Sequence, residues 1–440
     1  MHFFRHLPVM ASSSFSVASL LFLIVPFFQA SAQLGDSVLL GYTARQPEEV
    51  VTGDFTGDGL ADFIFMEQSF KYTMNQSPES VDLVLVKNQG QNRFSDNIIL
   101  QTEVPYLSNL NVADFDHDGK QDILYLSSSG ASSILTRIKA LRNLGQGTFS
   151  PPIELTLPGL DSIEYINSLV TDDLNQDGYA DLLTDIGYFL NNGNGTYQNM
   201  VAFQTSIRFN LVLNEDVDSD GQKDILLGFK SIYTSKLAWC RRNTNGTYGA
   251  VVSIADTIKN LKNLCVFHSN ITGKNHILVT KNTVAKPEVF TWNITGPFTR
   301  SISNNFGDFN YRSAEFDPSP GKDLFSYRSQ YGEYSLSDGS FSWMKMNLIP
   351  FGQQFAFGDT DGDGDLDIIA DGVVLYLNDG NGNISNPIRI SPRMTSTTIH
   401  GLADLDQNGS PDVVYSGNQG TTVVFYDGSQ IDTSIWLPRY

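Results

Sequence analysis

Carboxylates recur along this chain in a fixed frame, and that frame carries most of the chemistry the sequence offers. Acidic or amide side chains stand at the first, third, fifth and ninth positions of a nine-residue pattern, with glycine at the sixth. Strict copies are Asp114, Asp116, Asp118, Gly119 and Asp122; Asp173, Asn175, Asp177, Gly178 and Asp181; Asp216, Asp218, Asp220, Gly221 and Asp224; Asp359, Asp361, Asp363, Gly364 and Asp367; and Asp404, Asp406, Asn408, Gly409 and Asp412. An earlier copy, Asp54, Thr56, Asp58, Gly59 and Asp62, carries threonine third. A decayed copy runs from Glu315 through Asp317 and Ser319 to Asp323, with Pro320 where glycine belongs, and His268 to His276 keeps the frame without any carboxylate.

Acidic groups converging in one tight loop repel one another unless a cation neutralises them. Oxygen ligands in an irregular shell suit Ca²⁺ best, whereas Mg²⁺ needs a stricter octahedron and thiophilic metals find no ligands here. Glycine at the sixth position permits the sharp reversal that lets the seventh residue offer its carbonyl. Thr56 and Asn175 still supply an oxygen at the third position. An EF-hand is excluded, because it requires a bidentate glutamate at position twelve and flanking helices. Here position twelve holds Phe65, Tyr125, Thr184, Leu227, Ala370 and Tyr415. The expectation is several Ca²⁺ ions, about six, with the His268 loop holding none.

The copies begin 43 to 60 residues apart, about 50 on average. Repeats of this length mean an array of supersecondary units. A second signal keeps step: Asn/Gly-rich turns closing on an aromatic, as in Asn88 to Phe94, Asn143 to Phe149, Asn191 to Tyr197 and Asn243 to Tyr248, with Asn378 to Ile384 as a variant. Such turns favour left-handed hairpin conformations. Short β-branched and aromatic runs lie between them, and no run of helical period stands out. Each unit reads as four strands, with the acidic loop between the first two. The expected fold is therefore all-β, a β-propeller of four-stranded blades. Eight copies give eight blades; seven is the alternative, and would leave one copy outside the ring. Asp36 to Tyr42 and Ser434 to Tyr440 compete to complete the last blade.

The composition agrees. The 440 residues carry 48 acidic and 28 basic side chains, for a net charge of -20. Half of the acids occupy the loop positions, so the charge belongs to the loops and says little about partners. It does exclude nucleic acid, which needs a basic face. With 41% hydrophobic residues the chain can bury a core. Residues 1–32 read as a signal peptide: a basic start, an apolar run from Ser14 to Phe28, and Ala30-Ser31-Ala32 before Gln33. Residues 33–440 are expected to form one propeller, secreted as a monomer. No later stretch is apolar for long enough to span a bilayer. Cys240 and Cys265 either pair in an oxidising compartment or remain buried thiols.

The Asp54, Asp114, Asp173, Asp216, Asp359 and Asp404 loops resemble the calcium loops of FG-GAP/VCBS repeats, as do the starts Gly53-Asp54 and Phe357-Gly358-Asp359. That family builds the integrin α-subunit propeller and many secreted proteins, propeller lectins among them. The resemblance implies loops that stabilise the blades while ligands bind elsewhere. Eight repeats depart from the integrin seven, which counts against an integrin-like partner. The resulting expectation is a secreted, calcium-stabilised, lectin-like propeller that binds carbohydrate or an extracellular protein. The alternative is a carbohydrate-active enzyme, such as a polysaccharide lyase, on the same scaffold. The chain lacks a Gly-x-Ser-x-Gly elbow and a His-Glu-x-x-His helix, and no catalytic residue is assigned. Arg241-Arg242 beside Trp239 reads as an exposed strand edge or a contact for an acidic sugar. Trp292, Trp343 and Trp436 read as blade packing or as platforms for sugar rings. Acceptor triplets for N-glycosylation start at Asn75, Asn194, Asn245, Asn270, Asn293 and Asn383.

Overall fold

The computed structural model describes residues 32–41, 50–68, 80–90, 93–128, 136–160, 166–204, 209–231, 234–259, 261–269, 272–281, 287–293, 296–302, 310–314, 323–328, 333–337, 344–347, 355–361, 363–370, 374–380, 384–385, 388–389, 398–417, 420–426 and 429–431. Among these the chain is all-β, without a helix. The leader segment, the loop from Glu315, Trp343 and Trp436 fall outside them.

Among the described residues, eight sheets follow one another along the chain, seven of four strands and the last of five, beside one short hairpin. Within the first seven, the strands lie in chain order and pair antiparallel. The first sheet consists of Val50–Gly53, Asp62–Gln68, Ser80–Val86 and Ile98–Pro105. In several sheets the second strand is buried throughout, as in Asp181–Thr184 and Asp367–Ala370. Asp122–Ser128 and Asp224–Phe229 are buried on both faces nearly throughout, so they read as continuous Ile/Leu runs rather than as alternations.

Apolar clusters fill the spaces between neighbouring sheets. Phe55, Ile64 and Leu83 meet Leu110, Ile123 and Tyr125 between the first and second. Leu183 and Tyr188 meet Ile225 and Cys240 between the third and fourth. The same kind of cluster joins the two ends of the array: Phe63, Phe65 and Val84 pack with Leu405, Val414 and Phe425. The N-terminal strand Ala32–Gly41 completes this join, running antiparallel to Gly420–Tyr426 inside the last sheet. Ser429–Ile431 then adds to it in parallel. The strand expected from Asp36 to Tyr42 thus enters the last sheet as Ala32–Gly41, while Ser434 to Tyr440 lies outside the described residues.

No disulfide links Cys240 and Cys265; both thiols are buried, and burial pushes that of Cys240 up to about 12. Trp239, Trp292 and Phe298 pack together with centroids 5.0 and 5.2 Å from Trp239 and 5.2 Å between the latter two. Trp292 therefore belongs to the core between the fourth and fifth sheets.

Candidate metal centres

Each acidic loop joins the first two strands of its sheet, and the register is the same throughout. The residue before the loop pairs with its ninth residue: Gly53 with Asp62, Ala113 with Asp122, Asp172 with Asp181, Glu215 with Asp224, Gly358 with Asp367 and Ala403 with Asp412. Ala314 and Asp323 keep that register at the ends of the decayed copy. The loop backbone is left-handed at the sixth position, where Gly59, Gly119, Gly178, Gly221, Gly364 and Gly409 have φ between 82° and 96°. The fourth position is left-handed too, and His117, Gln176, Ser219 and Gln407 adopt it at φ of 57° to 67°. Gly57 takes the same conformation at φ 79° in the first loop, but these four positions carry no glycine signature.

The first aspartate caps the loop from inside. Asp114 accepts from the backbone N–H of Asp118 (3.0 Å) and Gly119 (2.9 Å), and Asp216 accepts from Ser219 (2.8 Å) and Gly221 (3.0 Å). The fifth residue accepts from the seventh, as Asp118 does from Lys120 N–H and Asp220 from Gln222 N–H. The ninth aspartate is the most enclosed. Asp62, Asp122, Asp181, Asp224, Asp367 and Asp412 are all 0% exposed. One oxygen accepts from the second loop residue: Phe55, Phe115, Leu174, Val217, Thr360 or Leu405. In five of the loops the other accepts from the turn between the third and fourth strands, through the N–H of Asn88, Asn143, Asn191, Arg242 or Asn378. Burial pushes these carboxyls up, Asp62 to about 6 and Asp122, Asp181, Asp224 and Asp367 to about 7, against the pull of the backbone donors.

The turn asparagines also reach across to the next sheet. Nδ2 of Asn143 donates to Phe55 O (3.0 Å), Nδ2 of Asn191 to Phe115 O (2.8 Å), and Nδ2 of Asn88 to Leu405 O (2.6 Å). The bond between successive sheets therefore also links the first sheet to the last. These asparagines are buried, and the recurring Asn/Gly turns they open are the trace of the role in the sequence.

Four loops bring carboxylate oxygens of the first, third and ninth positions within 4.8 Å of one another: Asp114, Asp116 and Asp122; Asp216, Asp218 and Asp224; Asp359, Asp361 and Asp367; Asp404, Asp406 and Asp412. The fifth-position residues Asp58, Asp118, Asp177, Asp220, Asp363 and Asn408 lie outside these groups. Loops one and three hold two such acids with Thr56 or Asn175. Thr56 Oγ1 lies 3.4 Å from Asp54 Oδ1, and Asn175 Nδ2 donates to Asp177 Oδ2 (2.8 Å). The groups fit a hard cation. The Asp218 side chain is 1% exposed, yet its Oδ1 has no hydrogen-bond partner, and Asp116 Oδ1 is likewise buried and unmet. Burying such oxygens is costly without a positive partner.

The fifth copy is built otherwise. Its strands zip two pairs further, to Ser269 opposite Lys274, which closes the loop into a tight turn. His276 stands where the ninth aspartate would. One ring nitrogen meets Thr291 Oγ1 (2.6 Å) and the other Thr272 Oγ1 (2.9 Å), while burial holds its pKa down at about 4. Burial thus disfavours the charged ring, and both its nitrogens meet hydroxyls where the other loops hold a carboxylate. Arg241 and Arg242, at the end of the strand Ser235–Cys240, differ in their surroundings. Arg242 is buried with its guanidinium 5.8 Å from the Tyr248 ring centroid, and Arg241 pairs with Asp218 and Asp220.

Residues 54–125, 114–184 and 359–415 match the FG-GAP-like repeat. No curated protein matches the chain in sequence. Among solved structures, the Dos1 propeller superposes with a TM-score of 0.51 at 10% identity, over 91% of this chain and 97% of that one. An Agrocybe aegerita lectin that recognises non-reducing terminal N-acetylglucosamine gives 0.44 at 15% identity, over 87% and 85%. The V. cholerae biofilm matrix protein Bap1 gives 0.42 at 13%, over 90% and 91%. The first of these likenesses is one of fold, a β-propeller.

Proposed function

We propose that this chain, a β-propeller of FG-GAP-like repeats, is an exported binding protein whose eight blades are braced by Ca²⁺. The observation that carries this reading is the repeated gathering of first, third and ninth carboxylates, with buried oxygens of Asp116 and Asp218 lacking donors. Asp114, Asp116, Asp122 and their counterparts would hold the ion, and Asp118, Asp220 and Asp363 would close the shell from the loop's exposed side. Bound Ca²⁺ supplies positive charge that lets these carboxylates stay ionised together. The recurrent acids are occupied with holding the loops and turns, which leaves recognition to other surfaces of the propeller. A carbohydrate or an extracellular protein is the ligand class we favour, with residues 33–440 acting as one monomeric unit after removal of the leader.

A glycan array and an extracellular-protein array, probed in calcium and in chelator, test the reading. We expect calcium-dependent capture without change to the ligand. New reducing or unsaturated ends on a bound polysaccharide would instead establish the enzymatic alternative. Absence of calcium uptake by calorimetry would remove the metal part.

A further inference from the structure

We infer that the fourth loop is a dual-occupancy site, in which the Arg241 guanidinium occupies the carboxylates until a divalent cation displaces it. The inference rests on the cation reading above and concerns how the sites differ. Arg241 directly follows the third strand, Ser235–Cys240. Its Nε lies 2.5 Å from Asp218 Oδ2 and its Nη2 3.2 Å from Asp220 Oδ2. Asp218 is one of the three gathered acids, is almost wholly buried, and keeps Oδ1 without a partner. Arg241 itself is half exposed, so it can swing into solvent without leaving a cavity.

The corresponding residue differs from loop to loop. Arg142 precedes Asn143 in the second sheet and places Nε 3.3 Å from Asp116 Oδ2. The first and third loops carry neutral Thr56 and Asn175 third; there Lys87 turns to Gln146 O (2.7 Å) and the position is Leu190. The seventh loop carries Asp359, Asp361, Asp363, Asp365 and Asp367, yet has Leu377 at this position. Loops two and four thus contain their own counter-ion, whereas loop seven does not. A guanidinium matches two carboxylates through directed N–H donors but brings a single charge, so a divalent ion outcompetes it while giving up part of its own binding free energy to do so. Loop four should therefore fill later than loop seven and collapse less when emptied.

The test uses the full chain, with calorimetric titration by Ca²⁺ and thermal scans in excess calcium and in chelator. Arg241→Met keeps most of the stem and removes the charge; Arg241→Lys keeps the charge without the fork. For Arg241→Met we expect one binding step to tighten about three- to tenfold. Its melting midpoint should fall in chelator and stay level in calcium, with Arg241→Lys between it and the parent. An Arg241→Met isotherm superimposable on that of the parent, or equal loss of midpoint in both conditions, overturns the inference while leaving the cation reading intact. A parent chain that takes up no calcium overturns both.

Discussion

In five of the loops the ninth aspartate joins three pieces of backbone while wholly out of water. Asp122 takes Phe115 N–H at 3.3 Å and Asn143 N–H at 2.7 Å. An amide there would turn an NH₂ group toward one of those donors. Asp122→Asn should cost about 2–4 kcal/mol in urea unfolding, more than its small change in shape suggests, because a buried donor is left facing a donor. An unchanged midpoint would show that the donors find other partners. The same residues set a pH dependence. Burial raises their folded pKa to about 6–7, above the unfolded value of 3.8. Across that window the folded chain holds protons that the unfolded chain has released, so stability in chelator is lost as pH rises through it. Urea midpoints in chelator should be lower at pH 8 than at pH 5, and saturating Ca²⁺ should shrink or reverse the difference. A chelated midpoint that climbs from pH 5 to 8 would contradict the assignment.

Between elements, the turn asparagine is the connector. Asn143 Nδ2 donates to Phe55 O of the preceding loop and to Gln121 O of its own at 3.1 Å. Phe55 O retains Gly147 N–H at 2.9 Å when that side chain is lost. Asn143→Ala should therefore cost only about 1–2 kcal/mol, measured as a shift in denaturant midpoint. A loss as large as that of Asp122→Asn would mean that the inter-sheet bond, rather than the loop, dominates. This is also where legibility from sequence ends. The acidic frame announced itself because every ligand position and the left-handed glycine fall within nine residues. Asn143 and Phe55 are 88 residues apart, and nothing in either neighbourhood declares the other. The ion pairs of Arg241 are illegible for a related reason: its partners, Asp218 and Asp220, lie across a hairpin, and the local sequence declares only a basic strand end. The eroded copy was legible as a repeat by spacing, but its two threonine partners for His276 were not, since hydroxyls carry little pattern of their own.

At the scale of the molecule, the proposed Ca²⁺ sites would act in parallel on sheets that lean on one another. Removing bound ions would withdraw a binding contribution from several loops at once, and each contribution grows with the logarithm of ligand excess. Chelation should lower the melting midpoint by several degrees or more and broaden the transition, as followed by calorimetry with and without added Ca²⁺. The N-terminal strand makes a second prediction at this scale. Deleting residues 33–41 strips Gly420–Tyr426 of one of its two antiparallel partners and exposes an apolar edge, a template for intermolecular pairing. Such a protein should sediment as oligomers where the full chain does not; a well-behaved truncated monomer would mean that Ser429–Ile431 takes over the vacated place.

The join between Asn88 and Leu405 spans 317 residues of sequence. A ribosome therefore finishes nearly the whole polypeptide before the opening segment can meet its destination. Early units can assemble pairwise as they emerge, but the last step must wait, with one flank uncovered, for material made at the end. Long-range closures of this sort are slow, and such an interval is when chains stick to one another. Conditions that fill the acidic loops during synthesis would shorten that exposed period.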